Sequence, residues 1–442
     1  MLLLIISIFF ITGKLSAWSE HPLLVKPALK DHPVWKTIGK VEARNLKTFL
    51  IQVEKELEQY LAQHEEWSRR NLPNYTPCPD ELIFKATGNP DDILLRFYSA
   101  IRINPNVKIP LYLHLLPTEN AGNREIADPR KITTLEDIGS MMHTTYVWIK
   151  EGEDVAPFDV LVTASDEPDY GFDLGLFEDN NTEYGKIYGF GNQPFGNPNL
   201  EYSSQAPFHM GFFHEAGILY KFGPFLKQTY VDYRIFLYKA LSEFAFSRNQ
   251  PYWGWRFMGW GMHYVGDVSM PYHMKPLPGV STSRMLWINA KAIMGAPKAS
   301  NNAVQLVSNR HTVFEEFQVQ ILRKAHQEND TSHPFLKALQ NPLPPVPFSH
   351  DFLINVAALE SADKSKKVDN ALKKNMPHRM VSNPTIEVSD LPEMPRLTEV
   401  VIEEKGDDAV RSLTIVIAER MRSFSMHIRS YMDSILKSLG YI

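Results

Sequence analysis

An all-α fold is what this sequence predicts, on three observations. Apolar residues recur at three- and four-residue intervals through several long stretches, most of them in the second half of the chain. The composition, 44% hydrophobic and 22% charged over 442 residues, supports a sizeable buried core and excludes global disorder. No internal repeat appears at the periods typical of solenoids.

The elements follow in order. The chain begins with an apolar stretch from Leu2 to Ile11, broken only by Ser7 and followed by Leu15-Ser16-Ala17. Ten apolar residues are too few to span a membrane but suit the centre of a secretory signal. Leu15 is large for its place, and no basic residue precedes the run. The expectation is a signal peptide over 1–17, with Trp18 as the mature N-terminus and a secreted or periplasmic product. No later stretch approaches 18 apolar residues, so no transmembrane segment is expected in the mature chain.

Residues 34–70 read as a helix, with Leu46, Phe49, Leu50, Val53, Leu57 and Leu61 on one face. Residues 71–205 are rich in Pro, Gly, Asn and Asp and read as irregular insertions. Helical spacing returns over 208–226, 230–248, 252–267 and 309–328. Asn341-Pro342-Leu343-Pro344-Pro345-Val346-Pro347 is stiff and extended, a candidate boundary. It divides a domain over 18–340 from a mainly helical C-terminal extension over 341–442, with helices at 352–372 and 407–439.

Charge and cysteine content narrow the chemistry. A net charge of -5 offers no general attraction for nucleic acid. The single Cys78 excludes a disulfide framework within the chain and any four-thiolate metal site. A bound metal would be held by His, Asp and Glu, and there are 15 His.

His263-Tyr264-Val265-Gly266-Asp267 places an imidazole and a carboxylate on one helical face. Pro271 ends that helix, so His273 can turn back to the same side. His311 and Glu315 repeat the spacing elsewhere. From 15 His and 51 acids in 442 residues, His-x3-acid is expected about 1.7 times, and the third instance is His326…Asp330. One such pair therefore says nothing. The compound His-x3-acid-x5-His is expected only about 0.06 times.

With Trp18-Ser19 after the leader, His263 to Asp267, His273, and His311-x3-Glu315, the chain resembles the secreted bacterial zinc-dependent phospholipases C, which hydrolyse phosphatidylcholine. The resemblance covers about 18–328. It implies a multi-helix fold around three zinc ions. It also implies that His263 and Asp267 ligate the first, that Asp267 bridges to the third, and that His273, His311 and Glu315 hold the second. The third would take the amino and carbonyl groups of Trp18 and a further His, His21 or His32. His21 is preferred because it precedes the helix-compatible Leu23-Leu24-Val25. The first zinc needs an Asp and a His more. Asp166 and His209 fit the family's pattern, with Asp169 and His214 as alternatives, although 43 residues separate Asp166 from His209. Asp166 would also act as the base that orients water. The implied partner is phospholipid at a membrane surface, contacted peripherally, with no nucleic acid.

The aromatic run Tyr252-Trp253-Gly254-Trp255-Arg256-Phe257 with Trp260 is expected in the core more than in a choline cage. The related single-strand nucleases and 3′-nucleotidases use Asp where this chain has Glu315. They also carry Gly-Gly-Asn where it has Val307-Ser308-Asn309-Arg310. A catalytically degenerate metal-binding surface protein is the remaining alternative.

Overall fold

The computed structural model describes residues 20–197 and 201–441. Residues 1–19, which include the expected signal peptide and Trp18, lie outside the described residues. Helix takes 62% of the described residues and strand 3%, so the fold is all-α.

In chain order the elements are α1 His21–Leu29, β1 Val41–Glu42, α2 Leu46–Asn71, α3 Ile93–Ile101, β2 Tyr112–Leu115, β3 Thr145–Trp148, β4 Asp154–Val155 and α4 Pro157–Ala164. There follow α5 Glu201–His209, α6 Gly217–Phe222, α7 Val231–Ser247, α8 Pro251–Val268, α9 Pro271–Met274, α10 Thr282–Ile293 and α11 Lys298–Gln327. The C-terminal part holds α12 Pro334–Gln340, α13 His350–Phe352, α14 Leu359–Asn375, α15 His378–Ser382, α16 Leu397–Lys405 and α17 Asp407–Ser438. The strands make two small antiparallel pairs, β1 with β4 and β2 with β3.

Helix α8 is the centre of the molecule. Pro251 opens it with a fixed φ and no unsatisfied N–H, and every later residue is buried. Neighbours come close where side chains are absent. A Cβ on Gly259 would lie 2.6 Å from that of Ala164 in α4, and one on Gly266 would lie 2.8 Å from the Phe424 ring of α17 and 3.1 Å from the His21 ring. The aromatic run is core: Trp253, Trp255 and Trp260 are all but fully buried. The Trp253 indole N–H donates to the Arg44 carbonyl at 2.9 Å.

Residues 341–442 do not form a core of their own. One continuous apolar cluster runs from Leu23 to Leu436, and α17 packs on α8, α12, α14 and α1. The Pro-rich segment is thus a surface strap across a shared interior.

Two local differences from the sequence expectation have plain causes, and one helix forms where a proline stands inside it. The first long helix starts at Leu46, where the apolar period starts, and residues 34–45 hold part of a 3-10 turn and β1. Residues 208–226 are not one helix, because Gly211, Gly223 and Pro224 interrupt it. Conversely, α1 forms despite Pro27. That proline cannot donate to the Leu23 carbonyl, and His326 Nε2 does so instead at 3.2 Å. The third His-x3-acid pair therefore has a structural role.

Burial in α7 yields a pH prediction. Asp232 is 5% exposed, and burial pushes its carboxyl up to about 6, opposed by the Tyr233 N–H at 2.9 Å. The folded value exceeds the unfolded one of about 3.8–3.9, so the contribution to stability is full below pH 4 and lost as pH rises through 6. Asp232→Asn should raise the unfolding free energy at pH 7–8 by up to about 3 kcal/mol, from roughly two pKa units, and leave it unchanged at pH 3.5. Urea titrations at the two pH values check this.

Candidate metal centre

Helix α8 supplies His263 and Asp267 one turn apart, both fully buried. His263 Nδ1 donates to the Ser165 carbonyl at 2.9 Å, which fixes the tautomer and leaves Nε2 as a lone-pair donor facing inward. His209, the last residue of α5, meets it there. Its Nδ1 lies 3.2 Å from His263 Nε2, 2.9 Å from Asp267 Oδ2 and 3.9 Å from Asp169 Oδ1. His263 Nε2 is 3.5 Å from Asp169 Oδ1 and 3.5 Å from Asp267 Oδ2. Four donors thus converge on one point.

The other oxygen of Asp267 faces elsewhere. Oδ1 makes no hydrogen bond and lies 3.8 Å from His21 Nε2 and 3.6 Å from His273 Nδ1. His21 is fully buried, and neither of its ring nitrogens makes a hydrogen bond. Its Nδ1 is 3.7 Å from Asp166 Oδ1, which accepts the His21 backbone N–H at 3.0 Å.

A further group forms where α9 meets α11. Pro271 turns the chain, and His273 Nδ1 donates to the His209 carbonyl at 2.9 Å. His311 Nε2 lies 2.8 Å from Glu315 Oε1, one turn on along α11. The donor atoms of His273, His311 and Glu315 lie within 4.8 Å of one another, as do those of His21–His263–Asp267, Asp169–His209–His263 and His21–Asp166–Asp169.

The electrostatics suit a cation. Burial and the adjoining imidazoles hold His263 and His273 well below the usual histidine range, and burial takes His311 down to about 3. These rings are neutral, the form that binds metal. Burial works against charge on His209 too, but its bonds to Asp173 and Asp267 outweigh it and raise the ring to about 10. Burial pushes Asp169 up to about 7. Four carboxylates, Asp166, Asp169, Asp267 and Glu315, are buried here. A buried carboxylate without a compensating cation is costly, and the two imidazoles that these carboxylates raise, His21 and His209, do not balance four. The donor set and its charge therefore fit a bound metal.

No family model matches the chain. No curated protein and no solved structure matches it either.

The residues singled out from the sequence fall as follows. His21, Asp166, His209, His263, Asp267, His273, His311 and Glu315 come together, and Trp18 lies outside the described residues. His32 does not join them: its Nδ1 accepts the Val34 N–H at 3.3 Å and its Nε2 meets Asp433 at 3.0 Å. His214 does not either. Its Nε2 donates at 2.7 Å to the carbonyl of Ile354, in the π-helical turn Leu353–Ala358. Asp166 and Asp169 both belong to the cluster but differ. Asp166 already accepts from His21 N–H and, at 2.7 Å, from the Tyr170 hydroxyl, whereas Asp169 faces His209 and His263.

The sequence offered no pointer to Asp173. It sits 3.4 Å from His209 Nε2 and is held by Arg234 at 2.6 Å and the Tyr264 hydroxyl at 2.5 Å. A carboxylate behind a ligating imidazole orients the ring and raises its basicity. Only the later positions of Arg234 and Tyr264 on α7 and α8 tie it to the site.

The cluster opens into a cleft of about 900 Å³ that Tyr146, Asp166, Asp169, Tyr170 and Glu315 line. Leu391, Met394, Arg396, Thr398 and Ile402 form another part of its wall, so the region after 340 helps to shape the cleft.

Proposed function

We propose that this chain is a secreted zinc-dependent phospholipase C, which cleaves the phosphodiester of phosphatidylcholine and related phospholipids into diacylglycerol and a phosphorylated head group. The observation that carries the reading is the carboxylate of Asp267, whose two oxygens face two different sets of imidazoles. Zinc with bonds of about 2.0–2.2 Å has a tetrahedral edge of about 3.3–3.6 Å. The donor separations around His209 and His263, 2.9 to 3.9 Å, bracket that edge. Asp169, His209, His263 and Asp267 would hold one ion, and His273, His311 and Glu315 a second. His21, Asp267 and the N-terminus of Trp18 would hold a third, with Asp166 beside it.

Bound zinc would supply the clamp on the phosphate oxygens and the acidification of water that phosphodiester hydrolysis needs. The chain's own residues do the rest. Asp173 and the Ser165 carbonyl hold His209 and His263 in their orientations. Asp169, at the cleft, takes over the role first assigned to Asp166. Its carboxylate, which faces the cleft beside His209 and His263, accepts the proton of the attacking water. Asp166 fixes the start of α1 and thereby His21. The cleft admits the head group, and Tyr146 and Tyr170 give it an aromatic wall.

The test is turnover of phosphatidylcholine and of single-stranded DNA by the processed protein, with and without chelator, beside a zinc determination. Chelator-sensitive lipid hydrolysis with three zincs is expected, falling to two when Trp18 is blocked or the leader retained. Cleavage of DNA alone would assign the nuclease reading. Metal without turnover of either would assign the degenerate one. An unchanged zinc count would remove the N-terminal ligand.

A further inference from the structure

We propose that helices α6 and α10 form a docking face for the surface of a phospholipid bilayer that carries anionic lipid. The idea deepens the phospholipase reading and rests on it for its purpose, but the binding itself needs no metal.

Large apolar side chains crowd this face. Ile218 and Phe222 of α6 are 40% and 52% exposed, Trp287 and Ile293 of α10 are 41% and 51%, and Met294 at the end of α10 is 75%. The two helices touch. Together they are under a twentieth of the chain, yet they carry five of the fourteen large apolar side chains exposed among the described residues. Scattered exposed apolar residues are ordinary, while a concentration of them marks a binding surface.

Charge selects the partner. Residues 216–231 and 268–314 hold no Asp or Glu, where composition predicts about seven. At the surface they carry Lys221, Lys227, Arg284, Lys291 and Lys298 in a chain of net charge -5, while Lys275 pairs with Glu215 and Arg310 is buried against Asp369. Arg284 and Lys291 each lie 4.0 Å from the Trp287 ring, so cations flank an aromatic side chain that reaches solvent. An indole among cations, beside Ile, Phe and Met, is the composition of an interfacial membrane contact with anionic head groups. A nucleic acid would use the cations and the indole but has no use for Ile218, Ile293 and Met294.

The ground beneath points the same way. Leu219, Phe225 and Met285 line an apolar pocket that reaches His311, while Glu315, the next turn of α11, lines the polar cleft. An amphiphilic phosphodiester thus finds an apolar and a polar compartment at one His–Glu pair.

Co-sedimentation with vesicles of phosphatidylcholine and phosphatidylglycerol (7:3), in chelator, tests the proposal on the full processed chain. Phe222→Ser/Trp287→Ser/Met294→Ser should lower the partition coefficient at least tenfold. Lys221→Glu/Lys291→Glu should lower it several-fold and flatten its salt dependence. Ile415→Ser, an exposed apolar site on α17, should leave it unchanged. Wild-type binding that survives the triple substitution, or no vesicle binding at all, overturns the proposal. So does a dimer, or a complex with single-stranded DNA, that depends on these residues in protein that ignores vesicles. Turnover of monomeric dihexanoyl-phosphatidylcholine separates the two readings. The triple variant should retain it while losing vesicle turnover. Absence of monomer turnover in a wild type that still binds vesicles through this face would sink the catalytic reading and leave the docking face standing.

Discussion

Asp267→Asn should, on the proposed reading, remove two of the three metal ions and lower kcat/KM for phosphatidylcholine by at least a thousandfold. One carboxylate serves two donor groups, Oδ2 with His209 and His263 and Oδ1 beside His21. An amide of the same shape fills the same volume, so no cavity opens around a side chain that is fully buried. It brings no negative charge and is a poor ligand, and loss of a metal clamp on a phosphodiester costs several kcal/mol of transition-state stabilisation. A thousandfold corresponds to about 4 kcal/mol. The metal-loaded variant should also melt well below the metal-loaded wild type, because ions that bind only the folded state stabilise it by mass action. In excess chelator the gap should shrink to what the lost His209–Asp267 pair alone costs, which separates metal loss from misfolding. Asp330→Asn, in the His-x3-acid pair whose imidazole supports α1, should change neither metal content nor rate. Full metal occupancy in Asp267→Asn would remove Asp267 from its central place in the proposal.

The features readable in the sequence were those with a strong period. His263, Asp267, His273, His311 and Glu315 were visible because helical spacing converts sequence distance into a shared face, and α7, α8 and α17 because their apolar periods run unbroken. Asp166 and Asp169 could not be separated for a related reason. They lie three residues apart across the 3-10 turn Glu167–Tyr170, where side chains at i and i+3 eclipse, so both point into the cluster. Only their hydrogen bonds tell them apart. Asp173 and the cleft wall beyond residue 390 were hidden altogether. Their roles depend on contacts across 60 residues or more, which no local pattern records.

Glu167→Gln should destabilise the protein by about 3–5 kcal/mol, the cost of leaving a buried cation without its counter-ion. The Arg256 guanidinium meets Glu167 in a two-point bond, Nη2 to Oε1 at 2.7 Å and Nε to Oε2 at 3.0 Å, with both side chains about 3% exposed. The Trp260 indole N–H donates to the same carboxylate, and Arg256 reaches the Pro110 carbonyl at 2.8 Å. Replacing both ends of such a pair is often neutral, because the desolvation of two charges disappears with their attraction. Glu167→Gln/Arg256→Met should therefore recover most of the lost stability in urea titrations. Metal affinity should not recover with it. Glu167 stands between Asp166 and Asp169 on one turn, while Arg256 stands on α8, two turns before His263. The pair ties the turn that carries the carboxylates to the helix that carries His263 and Asp267. A double variant that is stable but binds metal at least tenfold more weakly would show that this buried charge pair sets the position of Asp169. Recovery of both properties together would reduce it to a fold contact, and recovery of neither would mean that Trp260 and Pro110 depend on the charged forms themselves.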